Sequence, residues 1–291
     1  MWILLAFSVA GAGAQLVDGT LGMGFGVTSA SLLLLFGVGP VAASAATHAA
    51  KLPTTLVSGL AHWRQGNVDR QVLVRVAVPG MIAGFVGAVV LTGVSMSSAK
   101  AWMAGLLLFF GAVIFARFGF GASLIPRPAR GNTARWLSPI GALGGFVDAT
   151  GGGGWGPVVT PSLLTVTAHE PRRVVGTVSA SEFLVALSVS TGFVAGAAHE
   201  QIPWLAVLGL VAGGVVVAPI AARLAGRLPQ AMMGTLVGGL IVLTNGITVV
   251  SAVGGVPSGV AWALVVGLVA VTGTTAVHAL RRDRHAAAVP R

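Results

Sequence analysis

Few residues in this chain can do chemistry, and several of those sit where ionisable groups are costly. Among 291 residues there are 7 Asp or Glu and 17 Lys or Arg, and Asp18, Lys51, Asp148 and Glu182 fall inside apolar stretches instead of loops. An ionisable group at the centre of a bilayer costs about 2.5–3.5 kcal/mol, so four facing lipid would cost roughly 10 kcal/mol. They must pair with one another or face a wet interior. Lys51 could offer a cationic ligand opposed by Glu182, a carboxylate able to take up a proton. The same two could equally form a buried ion pair joining two parts of the molecule. His48 lies three residues before Lys51 and shares its face on a helix. It is a candidate proton relay or a hydrogen-bonded structural group. Ser181, beside Glu182, is a candidate ligand.

Asp18 and Asp148 each precede a glycine-rich break: Val17-Asp18-Gly19-Thr20-Leu21-Gly22-Met23-Gly24-Phe25-Gly26 and Val147-Asp148-Ala149-Thr150-Gly151-Gly152-Gly153-Gly154-Trp155-Gly156. A break inside an apolar stretch frees backbone N–H groups at the start of the next half-helix. Those groups and the helix dipole favour an anion. Thr20, Gly22, Gly24, Thr150, Gly151, Gly152, Gly153 and Gly154 are therefore candidate anion contacts. The two aspartates could cap the broken helices, or bind a coupling proton or cation. The capping and coupling roles can coexist. Trp155, next to the glycine run, is a candidate cavity wall.

The elements that must position these residues are apolar. Hydrophobic residues make up 55% and charged residues 8% of the chain, against about a quarter charged in soluble domains. Residues 228–280 carry no Asp, Glu, Lys or Arg, broken only by Gly254-Gly255-Val256-Pro257. A bilayer span needs roughly 20 apolar residues, so that run holds two. Glycine is abundant, and spacings such as Gly80-x3-Gly84 and Gly209-x3-Gly213 allow close helix packing in lipid. The absence of cysteine excludes disulfides and thiolate metal sites. The formal charge of +10 lies in short loops and the tail, which points to membrane topology and away from nucleic acid.

The glycine-rich breaks align at an offset of 130 residues. The order of apolar segments repeats with them. Each half reads as a short segment, the break, a second short segment and three longer ones. The expected organisation is a first membrane repeat at 1–117, a cytoplasmic connector at 118–136 and a second repeat at 137–250. An additional transmembrane helix at 257–279 and a basic tail at 280–291 follow. The fold expected is an all-α integral membrane protein.

Arginines decide the orientation. If each glycine-broken pair crosses the membrane once, basic residues divide seven to nine between the two sides. If each pair enters and returns, as a re-entrant hairpin or two short spans, fifteen arginines from Arg64 to Arg291 share one side, opposed only by Lys100. The positive-inside rule selects the second arrangement. The halves are then inverted relative to one another, with the N-terminus outside and the C-terminus in the cytoplasm. Inverted repeats whose broken helices meet at the midplane are a recurring transporter plan.

These residues carry a family resemblance. Both glycine-rich motifs, Ala42-Ala43-Ser44-Ala45-Ala46-Thr47-His48, and the stretch from Ser58 to Asp69 ending Gly66-Asn67-Val68-Asp69 resemble the sulfite exporter TauE/SafE family of anion permeases. The resemblance covers residues from about 5 to 250. It implies a permease in the cytoplasmic membrane, without an ATPase of its own, exporting sulfite, a sulfonate or a related anion. Lys51 departs from the acidic residue that the resemblance leads one to expect there, and so reverses a buried charge.

The reading is a secondary carrier of a small anion, with proton coupling as one option, no cofactor and no metal. Lipid and the substrate are its partners, and Gly-x3-Gly faces suit either internal packing or a homo-oligomer. The alternatives are a passive anion channel, a carrier of another organic anion, and, on the strength of two paired aspartates alone, an intramembrane enzyme. No P-loop, His-Glu-x-x-His or Gly-x-Ser-x-Gly motif occurs.

Overall fold

The computed structural model describes residues 2–21, 23–121, 134–167, 169–196, 202–224, 230–252, 266–279 and 281, all helix or short connections. Ten helices follow in order: α1 (Trp2–Leu21), α2 (Phe25–Leu35), α3 (Pro40–Arg64), α4 (Arg70–Gly93), α5 (Met96–Phe120), α6 (Ala134–Gly151), α7 (Trp155–Val166), α8 (Pro171–Ala195), α9 (Trp204–Leu224) and α10 (Gln230–Ala252). A further apolar helix covers Val266–Ala279.

Local chemistry sets the ends. Pro40 and Pro171 open α3 and α8 from the first turn, where the missing N–H and fixed φ of proline suit a helix start. Asp69 and Ser95 accept N–H bonds as caps of α4 and α5. The glycine-rich breaks are real interruptions: Gly24 (φ 130°) and Gly152 (φ 72°) take backbone conformations that a side chain disfavours. The helices after them are short, with 11 residues in α2 and 12 in α7. At 1.5 Å per residue they are about 16–18 Å long, roughly half a bilayer core. The helices before the breaks extend further than the sequence segments suggested, because Asp18 and Asp148 continue them up to the glycines.

Among the described residues, four helices are long and apolar enough to cross a membrane: Arg70–Gly93, Met96–Phe120, Arg172–Ala195 and Ala231–Val250. With 25 residues α3 matches them in length, but it carries His48 and Lys51 within its apolar stretch. Large apolar side chains such as Val78, Ile82, Val86 and Val90 of α4 remain exposed, as expected of a surface that meets lipid. Trp63, Trp102, Trp136 and Trp204 are also exposed near helix ends, where an aromatic belt belongs.

Packing follows the glycines. Helices α1 and α9 run parallel, with Gly11 against the Leu210 backbone and Gly213 against Ser8. Helices α4 and α6 form the counterpart seam, with Gly141 against Val76 and Gly145 against Gly80. Helices α3 and α8 run antiparallel, Gly59 meeting Ala180 and Gly176 meeting Asn67. So do α5 and α10, Gly111 meeting Ile241 and Gly234 meeting Phe118. Contacts this close, against backbone or side chain, leave no room for a Cβ, which is how small residues drive association in lipid. The glycine-rich breaks also meet each other: a Cβ on Gly153 would strike the backbone of Gly26 and Val27.

Candidate functional site

The buried charges assemble around Lys51. It sits on α3 and is 2% exposed, beside the contact of Gly26 with the Gly152–Gly153 break, where a Cβ on Gly26 would lie 3.1 Å from its Cε. Its Nζ donates to Asp148 Oδ1 at 3.0 Å and Oδ2 at 3.3 Å, and reaches Glu182 Oε1 of α8 at 2.8 Å. One ammonium thus joins carboxylates from α6 and α8.

Asp148 does two jobs. Its Oδ1 accepts the N–H groups of Gly154 at 2.7 Å and Trp155 at 3.1 Å, so it caps α7 from across the break. Asp18 makes the matching contact in the first half, accepting from Phe25 N at 3.3 Å. A helix N-terminus is an anion site, and at α7 the anion is the protein's own carboxylate. The second role of Asp148 is towards His48, whose Nε2 lies 3.0 Å from Oδ2.

Donor counting places a proton there. Ser44 has one hydroxyl hydrogen, and it goes to the Ala149 carbonyl at 2.6 Å. His48 Nδ1 lies 2.8 Å from the Ser44 carbonyl and must donate to it. The ring therefore already carries its first N–H. The contact between Nε2 and Oδ2 then needs a second proton, held on one atom or the other. His48 is fully buried against Phe193, with ring centroids 6.2 Å apart.

A cavity of about 540 Å³ opens from this cluster between α1, α3, α8 and α9. Asp18, Lys51 and Glu182 line its inner end, and Ser58, His62 and Gln65 lead outward along α3. From Lys51 to Gln65 the helix rises about 21 Å. Gln15, Val178, Ser179 and Val215 complete parts of the wall.

The structure brings Asp18, Lys51 and Glu182 to the cavity and sets His48 and Asp148 immediately behind Lys51. It does not bring the glycine run there. Gly151 packs on Leu106, Gly152 on Ala30 and Met103, Gly153 on Gly26, and Gly154 on Val147. The Gly154 and Trp155 N–H groups are taken by Asp148, so the expected open nest is filled in this conformation. Gly24 caps α2 and packs on Val17. Thr150 and Ser181 bond their own helices, through Phe146 O and Val178 O, and are buried away from the cavity wall. Trp155 is core, fully buried against Gly80 and Gly144, and walls nothing. The Thr20 side chain and Gly22 lie outside the described residues.

Sequence reasoning missed the outer lining. Lys51, Thr54, Thr55, Ser58, His62 and Gln65 recur at three- and four-residue steps along α3, which is one helix face. That polar stripe was the available signal. Asp69 was also passed over except as part of a motif. Its carboxylate accepts from Val72 N at 3.0 Å, and its own backbone N–H donates to Thr177 Oγ1 at 2.9 Å. His169 and Arg173 approach its Oδ2 at 3.2 and 3.3 Å. Partial burial pushes the Asp69 carboxyl up, but the Val72 N–H and the neighbouring His169 and Arg173 outweigh it and hold the group below the usual carboxylate range.

Comparison with known proteins agrees with a membrane transporter. The sulfite exporter TauE/SafE family matches residues 7–247. A Bacillus subtilis (strain 168) protein described as "Probable membrane transporter protein YtnM" is 44% identical over 250 residues, 85% of this chain and 83% of its own length. No solved structure matches the chain. The chain belongs to the sulfite exporter TauE/SafE family, and it is a multi-pass membrane transporter and not an enzyme.

Proposed function

We propose that this TauE/SafE-family transporter exports a small sulfur-containing anion, such as sulfite or a sulfonate, across the cytoplasmic membrane as a secondary carrier. The observation that carries the reading is Lys51, an ammonium at the inner end of a cavity between helices of both halves. Thr54 and Thr55 give their hydroxyl hydrogens to the Lys51 carbonyl, and Ser58, two turns further along α3, adds a hydroxyl to the same wall. A desolvated cation in a partly polar cavity suits an oxyanion.

The cavity runs towards the end of the molecule that carries Arg64, Arg70, Arg172 and Arg173. The positive-inside rule puts that end in the cytoplasm, so this conformation faces inward and is ready to load for export. The antiparallel pairing of α3 with α8 and of α5 with α10 supports inverted halves, with the N-terminus outside. Beyond Lys51 the path stops at the packed glycine breaks, which suits a carrier with alternating access better than a continuous pore.

The test is counterflow in proteoliposomes loaded with unlabelled sulfite and presented with radiolabelled sulfite. An alkylsulfonate and sulfate serve as competitors. Saturable accumulation with competition by the sulfonate is the expected result. Flux that never saturates would make the protein a channel. Absence of exchange for either sulfur anion, with the protein monodisperse, would refute the substrate class.

A further inference from the structure

Resting on the carrier reading above, we infer that Glu182 is a tethered competitor of the transported anion: the two take turns on Lys51, and a proton arriving on Glu182 hands Lys51 over to the substrate. The geometry makes the exchange necessary. Lys51 Nζ donates on one side to Asp148, which is fully buried and fixed by the α7 N–H groups. On its other side it holds Glu182 at 2.8 Å, and Glu182 lines the cavity while Asp148 does not. An anion entering the cavity therefore meets the Lys51 direction that Glu182 occupies.

Charge balance points the same way. Asp18, Asp148 and Glu182 are three carboxylates. Lys51 and the proton between His48 and Asp148 supply two positive charges. Asp18 has no cation within ion-pair distance among the described residues, and it shares the cavity wall with Glu182. With all three carboxylates ionised, the inner cavity is negative and repels an anion. A proton on Glu182 removes one negative charge, weakens its hold on Lys51 and leaves an N–H free towards the cavity.

The groups facing Glu182 fit this role. Helix α3 presents Lys51 and, further out, His62; α1 presents Asp18; α6 presents Asp148 behind Lys51. The titratable residues of α4 are Arg70 and Arg75, in its first two turns, and α7 has none. Asp148 lies behind Lys51 and Asp18 makes no ion pair with it among the described residues, so Glu182 is the cavity carboxylate whose protonation frees the outward-facing side of Lys51.

The consequence is co-movement of one proton with each anion, so net export runs when the outward anion gradient exceeds the inward proton gradient, and it is tested by the pH dependence of half-saturation. Uptake of radiolabelled sulfite is measured against pH for the wild type and Glu182→Gln in parallel, and the ratio between the proteins removes the titration of sulfite itself. For the wild type relative to the variant, half-saturation should climb by about tenfold per pH unit once Glu182 is ionised, as linkage to a single proton requires. Glu182→Gln should bind more tightly at high pH and lose acceleration by a pH gradient. As a second reading, the wild type should alkalinise the outer medium as an alkylsulfonate enters. Uptake by Glu182→Gln with an unchanged pH profile would overturn the competition while leaving the carrier reading intact, as would Na⁺ replacing the proton in driving uptake. A wild type that moves no anion at any pH would remove both.

Discussion

Asp148 gives the sharpest test of how the site is held together. Replacing it with alanine removes the acceptor of two backbone N–H groups, Gly154 and Trp155, in a fully buried place. Each orphaned group costs about 1–3 kcal/mol, so the loss of the cap amounts to roughly 2–6 kcal/mol. Asparagine keeps an oxygen at that position, and its amide can donate to His48 Nε2, so the second proton is no longer needed there. Lys51 is not stranded in either variant, because Glu182 still pairs with it at 2.8 Å. Asp148→Asn should therefore be mildly destabilised and Asp148→Ala much more so. At about 2 °C per kcal/mol for a chain of this size, their melting midpoints in detergent should differ by roughly 4–12 °C. Monodispersity on heating followed by size-exclusion chromatography reads this directly. Equal midpoints for the two variants would refute the capping role of Asp148.

Other expectations follow from neighbouring contacts. Gly153→Ala drives a Cβ into the Gly26 backbone and should cost about 1–3 kcal/mol or more, whereas Gly105→Ala, with open space around it in the middle of α5, should keep or slightly raise the melting midpoint. The chain has no cysteine, so Ser58→Cys places a single thiol in the cavity. A membrane-impermeant maleimide should label it in inside-out vesicles and spare it in right-side-out ones, and the reverse pattern would invert the proposed orientation. Asp69 has a depressed carboxyl pKa in the fold, so its contribution is fully present above the ordinary value of about 3.9 and is lost as pH falls through the lower folded value. Asp69→Asn should thus melt earlier than the wild type at neutral pH, with the gap closing only in strong acid.

Much of the architecture was legible because lipid imposes simple rules. Charge-free runs marked the helices, and the paired Asp-x-Thr/Gly motifs marked both breaks. Asp18, Lys51, Asp148 and Glu182 stood out because nothing but pairing or a wet cavity tolerates them there. What the sequence left undecided was which group serves which. The glycine run looked like an open anion nest, but bareness of side chains also allows two backbones to touch, and Gly153 uses it to pack on Gly26. Lys51 and Glu182 looked like a simple pair. That Asp148, nearly a hundred residues from Lys51, is the inner partner depends on the crossing of α3 and α6, which no local pattern encodes. The lining of the cavity by Ser58, His62 and Gln65 was readable as a helical stripe, but its meaning needed the facing wall of α8 and α9.

The central claim is that an anion binds in the cavity on Lys51. Equilibrium binding of radiolabelled sulfite to purified protein tests it with the fewest assumptions, using Lys51→Met and, to avoid unpaired carboxylates, the double variant Lys51→Met with Glu182→Gln. The account predicts saturable binding by the wild type and none by either variant, while the double variant stays folded. Wild-type affinity in the folded double variant would show that the anion binds elsewhere and would contradict the account.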